Sequence, residues 1–173
     1  RAALQKITYF RGLEAYSAGD MRAAQRYLAE SAAINVSPKY SALNSFWQGE
    51  IAFAQGDYTV AAAKYNAYLK RAPCSEDEYA MALYNLGYCD FSRKDMAGAR
   101  SSFEKFLEAY PARDRYRADA YNRLGDIRYS DREFEAAVGD YDRAVALNTP
   151  ERYYAQYKRA VTLGILGRTE PKL

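Results

Sequence analysis

The chain has 173 residues, 49% of them hydrophobic, and its 25 basic and 22 acidic side chains leave a formal charge of +3. Such a balance gives no general electrostatic case for a nucleic-acid or membrane-surface partner, and no apolar run approaches bilayer-spanning length, so direct membrane insertion is not expected. Histidine is absent, which excludes Ser-His-Asp and Cys-His nucleophiles and histidine-ligated metals within the chain, and two cysteines, Cys74 and Cys89, are too few for a thiolate metal site. Both are expected as free thiols, and no cofactor is expected.

In chain order, a first helix is predicted from near residue 3 and carries "YFRGLEAYSAGDM" around Gly12. A second begins near 21, just after Asp20, a residue type that caps helix N-termini. The third, from near 39, carries "FWQGEIAFAQGDY" around Gly49, and Gly56-Asp57 makes the turn and cap for a fourth near 58. In "PCSEDE", Ser75 and Glu78 have capping-box spacing ahead of a fifth helix near 76, which carries "YNLGYCDFSRKDM" around Gly87. Helices near 96, 113 and 134 follow, with "NRLGDIRYSDREF" around Gly125. A last helix near 150 carries "YKRAVTLGILGRT", with Ala160 where the others have glycine. Pro38, Pro73, Pro111 and Pro150 fall at the joins, where proline is tolerated. No segment alternates with period two for long enough to be a strand.

These stretches are copies of one unit. Gly12, Gly49, Gly87 and Gly125 are spaced by 37, 38 and 38 residues. Eight residues past each anchor stand Asp20, Asp57, Asp95 and Glu133; twelve past, Ala24, Ala61, Ala99 and Ala137. Sixteen past come Leu28, Tyr65, Phe103 and Tyr141, and nineteen past Ser31, Tyr68, Phe106 and Ala144. Steps of four and seven keep these positions on one helix face. Each unit is therefore a pair of amphipathic helices in which the small alanine permits close approach. A unit this short cannot bury its own core, and stacking its neighbours gives an all-α, right-handed superhelical solenoid of antiparallel helix pairs.

With those positions in register, the units resemble the tetratricopeptide repeat. "MALYNLGYCDFSRKDMAGARSSFEKFLEAYP", residues 81 to 111, carries Leu86-Gly87, Ala99, Phe103 and Pro111 in the family's places. The resemblance implies one array over residues 1–173, with repeats at about 5–37, 42–74, 80–111 and 118–149 and a truncated fifth over 153–173. The family's aromatic three past the glycine is replaced by Ala15, Ala52, Asp90 and Arg128, and an aromatic stands four past it instead.

The resemblance also implies that the first helix of each repeat lines a concave face. Three before the anchor this puts Tyr9, Phe46, Tyr84, Asn122 and Tyr157 there; four after it, Tyr16, Phe53, Phe91 and Tyr129. Between the rows, one past the anchor, are Leu13, Glu50, Tyr88 and Asp126. One reading is a groove for an extended or helical peptide, since aromatics give large contact area at low entropy cost. The other is that the rings pack between helices and hold the array together. Trp47, about 100° round the helix from Phe46, is expected to pack against a neighbour. Asp119, Asn122 and Asp126 would give the groove a polar end suited to a basic ligand group. The Lys/Asn/Arg clamp by which some relatives hold a carboxylate is missing, because Tyr9, Leu13 and Phe46 occupy its places.

The expected function is a protein–protein interaction scaffold whose partner is a protein or peptide, with no enzymatic activity. The arginines between Arg113 and Arg132 alternate with acids, and pairs such as Asp119–Arg123 read as a solvated helix surface, not a nucleic-acid site. "FWQGEIAFAQGDY" lacks the Gly-Lys-Ser/Thr ending of a phosphate loop. The alternative is an intramolecular or self-assembly module of a larger envelope protein: the chain reads as a fragment, and its incomplete fifth repeat would expose Tyr153, Tyr157 and Leu163. "FEKFLEAYP" and "YNAYLKRAP" look like envelope-associated tetratricopeptide proteins of Gram-negative bacteria, which favours a periplasmic location.

Overall fold

The Asp20 carboxylate accepts the Ala23 amide at 2.9 Å and that of Asp57 accepts Val60 at 3.1 Å, so both start helices as their residue type requires. The computed structural model describes residues 1–73 and 75–167. Among these the helices are α1 (Ala2–Ser17), α2 (Met21–Ile34), α3 (Pro38–Ala54), α4 (Tyr58–Leu69) and α5 (Asp77–Ser92), then α6 (Met96–Ala109), α7 (Arg115–Ser130), α8 (Phe134–Ala146) and α9 (Arg152–Ile165). Every expected start lies within two residues of an observed one. Among the described residues there is no strand. Cys89 is a buried free thiol; Cys74 and the end of the expected fifth repeat lie outside the described residues.

The helices α5 and α8 start without a side-chain cap bond. Ser75 and Glu78 do not form a capping box: α5 starts at Asp77 with Glu76 as its cap residue, and Asp77 and Glu78 stand in its first turn, where negative charge suits the helix dipole. Glu133 makes no side-chain cap bond; its carboxylate accepts from Arg100 at 3.0 Å. At α7 the cap is Asp114, which accepts from the Tyr116 and Arg117 amides.

The chain forms two compact units, Arg1–Asp95 and Met96–Leu173, divided within the third expected repeat. In the first, α1 packs on α2 and α3 on α4, each pair antiparallel across a three-residue turn, with α2 against α3 and α4 against α5. Gly12 meets Leu28 and Gly49 meets Tyr65, where an added Cβ would come within 2.8 and 2.9 Å of the opposing side chain. The alanine one turn earlier on the second helix, Ala24 or Ala61, is fully buried, as the close approach demands. Tyr9, Leu28, Phe46, Ile51, Tyr65 and Tyr68 are among the large residues of this core.

In the second unit α7 pairs with α8, and α6 and α9 lie on either side of that pair. Ala137, Tyr141, Ala144 and Ala155 form one cluster of its core. On α9 only Ala155 and Thr162 are buried. Relative to Ala160 these are the positions that Asn44 and Ile51, Ala82 and Cys89, and Ala120 and Ile127 hold in α3, α5 and α7, all of them buried. Tyr153 and Tyr157 are 63% and 68% exposed, whereas Leu163, expected beside them, is half-buried.

Candidate functional site

The first helices α1, α3 and α5 of the first unit carry seven of the expected lining residues in half-buried positions: Leu13, Tyr16, Glu50, Phe53, Tyr84, Tyr88 and Phe91. Tyr84 and Tyr88, one turn apart on α5, meet edge to face at 5.2 Å between ring centres. Tyr16 stands edge-on to Trp47 at 5.1 Å, and Phe53 to Tyr58 at 5.5 Å. These rings are braced by neighbouring aromatics and keep part of their surface open.

In repeats one and two the row three before the glycine behaves differently from Tyr84, and there the expected lining is corrected. Tyr9 and Phe46 are buried, 3% and 4% exposed. Tyr9 packs on Tyr40, and its hydroxyl accepts from the Trp47 indole at 3.1 Å. Phe46 lies against Tyr65 and Tyr68 of α4. The position is one turn before the glycine at which the second helix comes closest, so that helix and its neighbours cover it. Trp47 does pack against a neighbour, bridging α3 to Tyr9 and Tyr16 of α1. Burial also drives the Tyr9 hydroxyl pKa up to about 12, against which the Trp47 hydrogen bond works only partly.

In the second unit the expected polar lining is turned inward. Asn122 is buried and donates to the Glu151 carbonyl at 3.1 Å. Asp126 accepts from the Tyr141 hydroxyl at 2.8 Å and the Tyr154 hydroxyl at 2.8 Å, and it pairs with Arg123 at 3.0 Å and Lys158 at 3.5 Å. Asp119 faces Arg123 at 3.7 Å, the expected pair. These carboxylates meet the protein's own cations, so they do not form an acidic groove end. Tyr129 is half-buried, with Phe134 edge-on and the Lys158 ammonium 4.4 Å from its ring centre. The arginine run is also less solvated than expected: Arg128 sits between Glu104 and the buried Asp140.

One arrangement was not foreseen. Glu50 accepts from the Tyr65 hydroxyl at 2.6 Å and from Asn85 of α5 at 2.7 Å. Asp126, Tyr141 and Lys158 occupy the same places two repeats later. An acid one past the anchor, a tyrosine sixteen past it and a polar donor two before the next anchor thus join three helices. Repeats one and three have Leu13 with Leu28 and Tyr88 with Phe103 instead, where no such bond can form. Burial, reinforced by the adjacent carboxylate, raises the pKa of both Tyr65 and Tyr141 well above that of free tyrosine. The signal was present in the sequence as the joint occurrence of acid and tyrosine in repeats two and four only.

A family model for the tetratricopeptide repeat matches residues 9–76, 48–114 and 122–170, most of the chain. The chain belongs to the tetratricopeptide repeat family. Among solved structures, a tetratricopeptide fold like this one is found in MamA, 17% identical with TM-score 0.79 over 96% of this chain and 85% of that one. MamA from Desulfovibrio magneticus RS-1 gives 24% identity and TM-score 0.73, covering 94% of this chain and 85% of that one. BtubC from P. vanneervenii gives 18% and 0.71, covering 90% and 70%. No curated protein matches the sequence. The tetratricopeptide array is thus of the all-α solenoid class, its function class is that of a protein–protein interaction scaffold, and the fold is generally not an enzymatic one. Among the described residues no helix is long and apolar enough to cross a membrane, and no acidic or cysteine cluster is placed to hold a metal ion.

Proposed function

We propose that the tetratricopeptide array binds a peptide or protein segment along α1, α3 and α5, with the half-open aromatics as its anchors. The observation that carries the reading is the Tyr84–Tyr88 pair: two tyrosines on consecutive turns, mutually braced at 5.2 Å and each half-exposed. Braced rings lose little further freedom on binding and still offer apolar faces and hydroxyls. Phe91 extends this surface along α5, and Tyr16 and Phe53 extend it onto α1 and α3. Tyr9 and Phe46 support it from below.

A peptide library selected against the chain, followed by titration of the selected peptides, tests this. The double variant Tyr84→Ala/Tyr88→Ala is expected to weaken binding by about tenfold or more, with helicity by circular dichroism unchanged. Equal affinity for a folded double variant would overturn the reading.

A second reading, self-assembly, is favoured by a different observation, the exposure of Tyr153 and Tyr157 on α9. It expects mass in sedimentation to rise with concentration and to stop rising in Tyr153→Glu/Tyr157→Glu. A monomer at all concentrations would eliminate it.

A further inference from the structure

Glu50 and Asp126 stand at the same place in repeats two and four, one past the anchor glycine, but their company differs. Asp126 meets cations of its own unit, Arg123 at 3.0 Å and Lys158 at 3.5 Å. The Lys158 ammonium also lies 4.4 Å from the centre of the Tyr129 ring, so it is shared between the acid and the aromatic three residues further along α7. A carboxylate and a ring at i and i+3 share a helix face, and a cation held by both gains from the charge and from the ring's negative face.

Repeat two has the acid and the ring without the cation. Glu50 and Phe53 are three apart on α3, and both are half-buried. Phe53 is braced edge-on by Tyr58 just as Tyr129 is by Phe134, at 5.5 Å between ring centres in both. In the places of Arg123, Tyr154 and Lys158 stand Trp47, Met81 and Asn85, none of them charged. Glu50 is held by neutral donors, the Tyr65 hydroxyl at 2.6 Å and the Asn85 amide at 2.7 Å, and both reach the same oxygen, Oε1. Among the described residues it pairs with no lysine or arginine. Its charge is felt on α1, where the Tyr16 hydroxyl pKa is pushed upward by burial and then by Glu50. A half-buried carboxylate with no cation of its own favours one brought by a partner.

We infer that Glu50 and Phe53 are the seat for a lysine or arginine side chain of the bound segment, which takes the place that Lys158 fills in repeat four. The inference rests on the peptide-binding reading above and adds the chemistry of the partner: a basic side chain flanked by apolar ones. The ammonium or guanidinium faces the Glu50 carboxylate and lies on the Phe53 ring.

A peptide library selected against the chain is expected to enrich lysine or arginine at one position. Norleucine at that position, similar in length but uncharged, should weaken a selected peptide about fivefold or more. Glu50→Gln keeps an acceptor for Tyr65 and Asn85; it should bring the basic peptide down to the affinity of the norleucine peptide and leave the latter unchanged. Asn85→Lys, which copies the arrangement of repeat four, should do the same by filling the seat from within, with helicity unchanged. Peptides that depend on Tyr84 and Tyr88 but show no basic preference would overturn the seat and leave the peptide-binding reading standing. So would a basic residue whose loss costs as much in Glu50→Gln as in the unaltered chain. Peptides weakened by Glu50→Gln but indifferent to Tyr84→Ala/Tyr88→Ala would uphold the seat and overturn the tyrosine anchors. A library that yields no binder would overturn both.

Discussion

The Tyr65 hydroxyl donates to Glu50 at 2.6 Å, and two repeats later Tyr141 makes the same bond to Asp126 at 2.8 Å. Each bond ties a first helix to its own second helix, and Asn85 or Lys158 brings the next first helix to the same carboxylate. Removing one donor leaves the carboxylate other partners, so Tyr65→Phe and Tyr141→Phe should each cost about 1 kcal/mol. Asp126→Ala removes the acceptor of two tyrosine hydroxyls, the carboxylate facing Lys158 and one of the two acids facing Arg123, and should cost about 3 kcal/mol or more. Urea denaturation gives the order, and a cost for Asp126→Ala no larger than for Tyr141→Phe would show that the carboxylate is not the hub.

Glycine at the helix crossing is a packing requirement, and its size dependence can be measured. A Cβ at Gly125 would stand 2.5 Å from Tyr141, and one at Gly49 2.9 Å from Tyr65. Alanine would otherwise favour a helix by about 1 kcal/mol. The clash pushes back on a ring that is fully buried and hydrogen-bonded, where overpacking costs about 1–3 kcal/mol. Gly125→Ala is expected to lower the melting temperature, and more so than Gly49→Ala. An unchanged melting temperature in both would mean that the rings move aside freely.

The helices and their joins were legible because their rules are local and recur: a capping aspartate at α2 and α4, and in all four units a small residue at the crossing and a proline at the join. Ser75 misled because the capping-box pattern competes with the acids that follow it, and the helix begins where Asp77 and Glu78 supply charge. The aromatic lining was legible only in part. A spacing of seven puts Phe46 and Phe53 on one helix face, but burial is decided by the crossing second helix, which covers Phe46 and leaves Phe53 half-open. The internal pairing of Asp126 was hidden for a related reason: its partners come from α7, α8 and α9, and no rule within one helix brings Tyr141, Tyr154 and Lys158 to the same carboxylate.

The turn between helices demands a left-handed residue just before each cap. Gly19 and Gly56 supply it with φ of 80° and 76°, but Lys94 and Arg132 adopt 66° and 61° with side chains attached. A non-glycine residue there is strained by about 1 kcal/mol. Lys94→Gly and Arg132→Gly should therefore each raise stability, by about 0.5–1 kcal/mol once the greater freedom of glycine in the unfolded chain is counted. Thermal unfolding monitored by circular dichroism checks this, and a loss of stability in both variants would mean that the lost side chains hold the turn by contacts of their own.

Alkaline pH should unfold the array earlier than its net charge suggests. Burial raises the Tyr9 pKa to about 12 and that of Cys89 to about 12, while Tyr65 and Tyr141 are driven up further by burial together with Glu50 and Asp126. In the unfolded chain tyrosine titrates near 10 and cysteine near 8.5. Above those values the folded state holds protons that the unfolded state has released, so stability falls with rising pH. The contribution is whole below the unfolded pKa values and is progressively lost through about 12 and beyond. Urea midpoints are expected to be level up to about pH 8 and to drop steadily above about pH 10. Phenylalanine at positions 65 and 141 together should flatten that drop while lowering the plateau. Tyrosinate absorbance gives an independent reading: Tyr9, Tyr65 and Tyr141 should ionise only as helicity is lost. Full ionisation of all tyrosines with helicity intact would overturn the burial argument.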